Sequence, residues 1–242
     1  MNTLIAMLPS LFAGAATTLK LFFITLLLSL PLGLVLALLR ISKWGWVRTS
    51  VGTYIWLMRG TPLMLQLLFV YFALPFIPVI GVRLPDFPAA IVAFVLNFAA
   101  YFAEIFRAGI LAVDRGQYEA AKTLGLSYTQ TMRRIVLPQM VRHILPPMSN
   151  EAITLVKDTA LIYVLALNDL LRAARNIVQR DFTVTPFIVA AAFYLLMTLV
   201  LTWLFQRLEQ PTPARTNSHA RSTLHPARAN WRNTCLASTG NS

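Results

Sequence analysis

The chain has 242 residues, and its composition excludes a water-soluble globule because 57% of the residues are hydrophobic and only 12% are charged. So little polar surface cannot coat a soluble core, and the chain is predicted to lie in a membrane. The formal net charge of +12 does not indicate a nucleic-acid partner, since the basic residues lie between apolar stretches, as in cytoplasmic loops of membrane proteins. One cysteine and three histidines without ligand spacing give no basis for a disulfide or a metal site.

Four stretches free of charged residues predict membrane-spanning helices, at residues 21–39, 60–82, 87–103 and 182–206. All but the third exceed the roughly 18 apolar residues that mark a transmembrane candidate, and the third nearly reaches that length. The first stretch is longer than the apolar part of a signal peptide and follows no cationic segment, so we interpret it as a retained helix. The spans are placed at residues 17–39, 60–82, 87–110 and 184–206, after an N-terminal extracytoplasmic segment at residues 1–16.

Polar residues interrupt the second and third spans. Residues 59–62, Arg-Gly-Thr-Pro, place a cation and a break at the start of the second span, which favours an anchor at the lipid headgroups. Asn97 is a candidate for the substrate pathway, although an amide inside a membrane more often bonds across a helix interface. Glu104 and Arg107 are three residues apart, so we expect them to pair on one helix face.

A fifth span, at residues 147–168, is favoured by the distribution of basic residues. With this span, 15 basic residues lie on one side of the membrane and 5 on the other, whereas without it the counts are 14 and 7. Because basic residues favour the cytoplasmic side, five spans are preferred, with the N-terminus outside and the C-terminus inside. Arg172, Arg175 and Arg180 remain an exception on the outer side. The predicted fold class is an all-α integral membrane protein with five transmembrane helices.

The same span carries the strongest candidates for transport chemistry. Glu151, Thr154 and Asp158 are spaced to share one helix face, while Lys157 points away from it. An ionised side chain inside a bilayer is costly unless it meets water or a partner, so this face is predicted to line the substrate pathway. A structural ion pair with an arginine of a neighbouring helix, or a kinked helix end that leaves Glu151 at the interface, is the alternative.

Residues 119–138 form a charged segment between apolar ones and are predicted to contain two short helices. Capping patterns at Asp114 with Gln117 and at Ser127 with Gln130 start them, Gly125 separates them, and Pro138 ends the second. One face of the second helix is apolar and another is cationic. The segment is either a docking loop for a cytoplasmic partner or an amphipathic connector on the membrane surface.

The segment resembles, position for position, the EAA loop of the membrane subunits of type I ABC importers, through Glu119, Ala120, Ala121, Gly125, Ile135, Leu137 and Pro138. Five further segments, at residues 59–62, 97–110, 116–118, 145–147 and 157–159, resemble the polar amino acid branch of these permeases, of the histidine, glutamine and arginine type. The likeness covers about residues 17–209. It implies the type I importer permease fold and a cytoplasmic coupling loop in which Glu119, Ala120, Ala121 and Gly125 contact an ATPase.

The resemblance also implies partners: two ABC ATPase subunits, a second permease subunit that is identical or homologous, an extracytoplasmic amino acid-binding protein, and the lipids of a bacterial inner membrane. The chain lacks a phosphate-binding loop, since Ala121 stands where a glycine would precede Lys122 and Thr123. We therefore expect no catalysis and no cofactor in this chain, with ATP bound by the partner. The alternative is an ATP-independent channel or sensor subunit whose loop docks another cytoplasmic protein.

The last 32 residues differ in character from the rest of the chain. Residues 211–242 contain few apolar residues and four arginines without an acid. Such a segment cannot bury a core, so it is predicted to be a disordered cytoplasmic tail.

Overall fold

The computed structural model describes residues 2–77 and 81–209, and every regular element among them is helical. The helices are α1 (Asn2–Arg40), α2 (Gly45–Gly60), α3 (Leu63–Leu68), α4 (Asp86–Leu111), α5 (Arg115–Thr123), α6 (Tyr128–Thr131), α7 (Leu137–Asp158), α8 (Leu170–Asp181) and α9 (Thr185–Glu209). Shorter turns extend them: a π-helical turn (Phe69–Ala73) and a 3-10 turn (Leu74–Phe76) after α3, a π-helical turn (Met132–Val136) before α7, and a 3-10 segment (Thr159–Leu165) after it. The predicted all-α class is confirmed for these residues. The predicted tail lies outside them.

Three helices of the described part of the chain are long and apolar enough to cross a membrane: Ala6–Arg40 within α1, α4, and α9. A fourth crossing is counted if Gly45–Gly60 and Leu63–Phe76 form one span, although these two are bent by 106°. The predicted span at residues 147–168 is divided between α7 and the 3-10 segment. Length and composition thus support three or four crossings, and the five-span arrangement stays a prediction.

The first helix is longer than a membrane crossing requires. α1 has 39 residues, so it is about 58 Å long at the usual helical rise, against a hydrocarbon layer of about 30 Å. Residues 2–16, predicted as a separate segment, are the first turns of this same helix. Their extracytoplasmic location stays a prediction.

The centre of the fold is α4, which packs against α1, α2, α3 and α7. Phe94, Phe98 and Phe102 are fully buried along α4 and fill the core with aromatic rings. Gly33 of α1 permits the closest approach, because a Cβ added there would lie 2.8 Å from the Cβ of Phe102. The charged side chains of α4 and α7 are not among the buried residues, so they lie at the edge of this core.

The second predicted span is not one straight helix from residue 60 to residue 82. A 16-residue helix, α2, precedes it and ends at Gly60, and the helical turns after the break stop at Phe76. Thr61 is extended, with φ −117° and ψ 147°, because Pro62 lacks an amide hydrogen and disfavours helical backbone at the residue before it. The break lies where the sequence predicted it. The helical turns after it end at Phe76, whereas the membrane span predicted at residues 60–82 stays a prediction.

The prediction that Pro138 ends a helix is wrong. The chain stays helical through the π-helical turn and continues as α7 to Asp158. Pro138 lies in the first turn of α7, after a π-helical register in which the Leu137 amide donates to the carbonyl of Met132, five residues earlier. A proline is tolerated in the first turn of a helix because its missing amide hydrogen is not needed there.

Candidate functional site

A polar cleft lies between α4 and α7, with the end of α2 at its rim. Its volume is about 400 Å³, and its charged and polar lining consists of Arg59, Tyr101, Glu104, His143 and Glu151. Three small residues form part of the wall and leave this space open: Ala108 and Gly109 of α4, and Ala112 directly after it. The cleft presents a guanidinium and two carboxylates, so it can contact a small solute that carries both signs of charge.

The two carboxylates of the cleft differ in how they are engaged. Arg107 donates from Nε and Nη2 to Oε2 of Glu104, at 3.0 and 2.7 Å, which confirms the predicted pair. Glu151 forms no salt bridge with any residue that the structure describes. Arg59 also forms none within that part of the chain, and its Cζ lies 5.2 Å from the ring centroid of Tyr101. Arg59 and Glu151 are therefore the charged groups of the cleft that remain available to a solute.

The acidic face predicted on α7 is present in the helix. Glu151 and Asp158 are half-buried, Thr154 between them is exposed, and Lys157 is exposed. The seven residues from Glu151 to Asp158 correspond to about 10 Å of helix. Asp158 is the last residue of α7, where the 3-10 segment begins. Glu151 therefore lies in the cleft, and Thr154 and Asp158 continue the polar face from it.

Asn97 lies apart from that face, at the break between α2 and α3. It is 4% exposed, and its Nδ2 donates to the Met58 carbonyl and to Oε1 of Gln66, both at 3.0 Å. Nε2 of Gln66 also donates to the Met58 carbonyl, at 2.9 Å. In a continuous helix this carbonyl would accept from the amide of residue 62, which is a proline and has none. Asn97 and Gln66 thus replace the missing donor across a helix interface.

The local structure of the predicted coupling loop follows its capping residues. Oδ1 of Asp114 accepts from the Gly116 amide at the start of α5. Gly125 has φ +71° and ends the same helix. Ser127 and Gln130 form a complete capping box at the start of α6. The first short helix and the caps predicted at Asp114 and Ser127 are therefore present, although the Gln117 side chain takes no part in the first cap. The second helix is not short, because it continues past Pro138 into α7.

The residues predicted to couple to an ATPase differ in exposure. Glu119, Ala120 and Gly125 are exposed, whereas Ala121 is 1% exposed and packs inside the subunit. Beside them, Leu124 and Tyr128 are 76% and 75% exposed. The exposed surface of this segment therefore includes Glu119, Ala120, Leu124, Gly125 and Tyr128, whereas Ala121 packs α5 against the rest of the subunit.

Comparisons with known proteins identify the family. Residues 29–212 match the family described as the inner membrane component of binding-protein-dependent transport systems. The chain belongs to this family. It is 40% identical over 207 residues to the arginine transport system permease protein ArtQ of Bacillus subtilis, covering 85% of this chain and 94% of that protein. It is 38% identical over 205 residues to the glutamine transport system permease protein GlnP of Escherichia coli K12, with 84% and 93% covered.

Solved structures give the same result for the fold. An amino acid ABC transporter crystallised with histidines superposes with a TM-score of 0.78 at 37% identity, covering 86% of this chain and 96% of that one. The inward-facing methionine transporter MetNI superposes with a TM-score of 0.67 at 19% identity, over 84% and 96% of the two chains, and so shares the fold. The expected importer permease fold is confirmed, and this permease subunit is a multi-pass protein of the inner membrane.

Several residues of the permease subunit's site were not predicted from the sequence. The sequence predicts a headgroup anchor at Arg59 and gives no signal for Tyr101 or His143, yet all three line the cleft with Glu151. Gln66 was also missed as the partner of Asn97. Only the position of Gln66, four residues after Pro62, gave a signal, because a helix restarted by that proline leaves carbonyls behind it without donors.

Proposed function

We propose that this permease subunit forms the translocation pathway of an ATP-driven importer for a polar amino acid. The observation that carries the proposal is its similarity, over most of its length, to permeases named for arginine and glutamine transport. The complex would contain a second permease subunit, two ABC ATPase subunits and an extracytoplasmic binding protein. The five-span topology, with the N-terminus outside and the C-terminus inside, is part of this proposal.

The substrate pathway is proposed to run past the cleft and the acidic face of α7. The carboxylates of Glu151 and Asp158 attract a cationic group, and Thr154 adds a hydroxyl on the same face. Both amide hydrogens of Asn97 are already donated, so Asn97 can offer the substrate only its Oδ1, which also favours a cation. Arg59 supplies the opposite charge and suits a carboxylate. An amino acid zwitterion matches this arrangement, and a basic side chain would be attracted further.

Coupling to ATP hydrolysis is proposed to pass through α5. Glu119, Ala120 and Leu124 present a short exposed face that fits a groove on an ATPase subunit, and Gly125 sets the angle at which the chain leaves. When the two ATPase subunits close on ATP, they would move the two copies of this helix and switch the pathway between the two sides of the membrane.

Uptake by the reconstituted complex tests the function. We prepare proteoliposomes that contain the permease, its ATPase and its binding protein. We expect them to transport at least one labelled polar amino acid only when ATP is present on the side of the membrane that carries the ATPase. Uptake that needs no ATP, or copurification of the permease with an unrelated cytoplasmic protein in place of an ATPase, would support the channel or sensor alternative.

Two substitutions test the pathway in the same assay. Hydrogen bonds to charged groups contribute about 1.5–3 kcal/mol, so Arg59→Gln and Glu151→Gln should each raise KM for the substrate by about 10-fold or more. Arg48→Gln is the matched control, because Arg48 is exposed on α2 outside the cleft. An unchanged KM in both cleft variants would exclude the cleft as part of the pathway.

A further inference from the structure

Helix α8, called the platform below, packs one side against the subunit and exposes one polar face. Its buried side chains are Leu170, Ala173, Ala174 and Ile177, and its exposed side chains are Arg175, Asn176, Gln179 and Arg180. Asp169 is fully buried and caps the helix by accepting from the amides of Leu171 and Arg172, at 3.0 and 3.2 Å. Gly14 brings α1 against this cap, because a Cβ at Gly14 would lie 2.7 Å from the Asp169 carbonyl oxygen.

The surface of this platform is cationic. Asp169 is buried, and Asp181 is already bound by Arg180 through two hydrogen bonds of 2.7 and 2.9 Å. Asp169 interacts electrostatically with the nearby charge of Arg172, whereas Arg175 forms no salt bridge with any residue that the structure describes. In the five-span topology this helix lies on the extracytoplasmic side, where the positive-inside rule disfavours arginines. Membrane topology does not account for these cations, whereas an acidic partner would.

An exposed aromatic residue follows the helix in a strained conformation. Phe182 is 92% exposed, and its φ of +49° places it in the left-handed region. A bulky residue in that region costs free energy, and such strain is concentrated at functional sites. Phenylalanine and arginine are also both enriched in protein–protein interfaces.

The platform is connected to the end of the proposed substrate pathway. Nη1 of Arg172 donates to the carbonyl of Tyr163 at 3.1 Å, and Cζ of Arg175 lies 5.9 Å from the ring centroid of Tyr163. Tyr163 belongs to the 3-10 segment that begins directly after Asp158. A protein bound to α8 would therefore act on residues next to the acidic face of α7.

We propose that Arg175, Asn176, Gln179, Arg180 and Phe182 form a docking surface, the α8 surface, for an acidic face of the extracytoplasmic binding protein. Arg172 and Arg175 transmit docking to the 3-10 segment through Tyr163. This inference rests on the proposed function, because it takes α8 to lie outside the membrane. A second copy of the α8 surface is a poor partner, since it carries the same cations and would be repelled.

Binding measurements on the assembled complex test the α8 surface. The permease and its ATPase are placed in nanodiscs, and the probe is the purified binding protein that supports uptake by the wild-type complex. Arg175→Glu should raise the Kd at least 10-fold and weaken its dependence on salt. Phe182→Gly should raise the Kd similarly, although glycine adopts the local φ readily, so a loss of binding is not a loss of folding. Arg83→Glu, the same charge change in the exposed segment at residues 81–85, is the matched control and should change the Kd less than 2-fold.

The outcomes distinguish failure of the docking surface from failure of the proposed function. Normal binding by both α8 variants, with wild-type uptake intact, overturns the docking surface and leaves the proposed function standing. Equal weakening by Arg83→Glu indicates general charge attraction and overturns specific docking. Failure of uptake by the wild-type complex overturns both proposals.

A lipid contact for Phe182 is tested separately. A fluorophore is attached to Phe182→Cys in a Cys235→Ser background, since Cys235 is the only native cysteine. We expect its emission to shift when the binding protein is added and to resist quenching by brominated lipid. Quenching by that lipid in the absence of the binding protein would place the ring in the membrane and overturn the docking role.

Discussion

Gly125 offers a sharp test of coupling, because its substitution strains the backbone without creating a clash inside the subunit. Its φ is +71°, and a Cβ added to it would meet no atom within 4 Å. The Gly125 amide donates to the Lys122 carbonyl and the Leu126 amide to the Ala121 carbonyl, each at 3.0 Å. This pair of bonds is a Schellman motif, which requires the left-handed conformation at its glycine.

The size of the effect follows from that conformation. A residue with a Cβ pays about 1–2 kcal/mol in the left-handed region, asparagine pays less, and a β-branched residue pays more. Since 1.4 kcal/mol is a factor of ten, Gly125→Ala should lower the population of the docking conformation about 5- to 30-fold. Gly125→Val should lower it further, and Gly125→Asn should lower it least.

Uptake and ATP hydrolysis are measured together on the same proteoliposomes. The ratio of amino acid imported to ATP hydrolysed should fall in the order glycine, asparagine, alanine and valine at position 125. Gly60→Ala is the matched control, because an added Cβ there also meets no atom within 4 Å and the φ of Gly60 is not positive. Wild-type uptake and stimulated ATPase activity in Gly125→Val would refute the role of this turn in coupling.

Three further predictions concern topology, the pathway and pH. A reporter that is active only in the cytoplasm should be active when fused after Gly125 or Arg207 and inactive after Arg83; the opposite pattern would reject five spans. Asp158→Asn should lower the maximal uptake rate with little loss of membrane abundance, whereas loss of abundance would indicate a structural ion pair. Burial raises the pKa of Asp169 to about 6, so its ionisation opposes folding as pH rises through that value. The solubilised subunit should gain about 1 kcal/mol of stability between pH 7 and pH 5 from this group; Asp169→Asn should remove that gain, and an unchanged pH profile would contradict it.

Local features were predictable because their causes lie within a few residues. The caps at Asp114 and Ser127, the stop at Gly125 and the break at Pro62 each depend on one side chain and its neighbours along the chain. The pairing of Glu104 with Arg107 is likewise set by helical spacing. For these features the sequence contains the whole physical cause, and the structure shows them where they were expected.

Features that depend on contacts between distant elements were not predictable in the same way. The cleft joins Arg59 to Glu151 from helices far apart in the chain, and no periodicity indicates that proximity. The continuation of the helix past Pro138 was missed for a different, local reason: the π-helical turn places this proline in the first turn of α7, where it is tolerated. At residues 147–168, where polar residues interrupt the apolar pattern, hydropathy alone does not indicate a span.

The break at Pro62 shows how one missing hydrogen-bond donor extends its effect through the fold. The Met58 carbonyl accepts from Gln66 on one side of the break and from Asn97 on α4. Inside a membrane, an unpaired carbonyl is costly because no water is available to replace its donor. Any motion that separates α4 from the α2–α3 break would break these bonds, so we expect these three elements to move together during transport. We therefore expect the conformational change of transport to involve α7 and the π-helical and 3-10 segments that flank it.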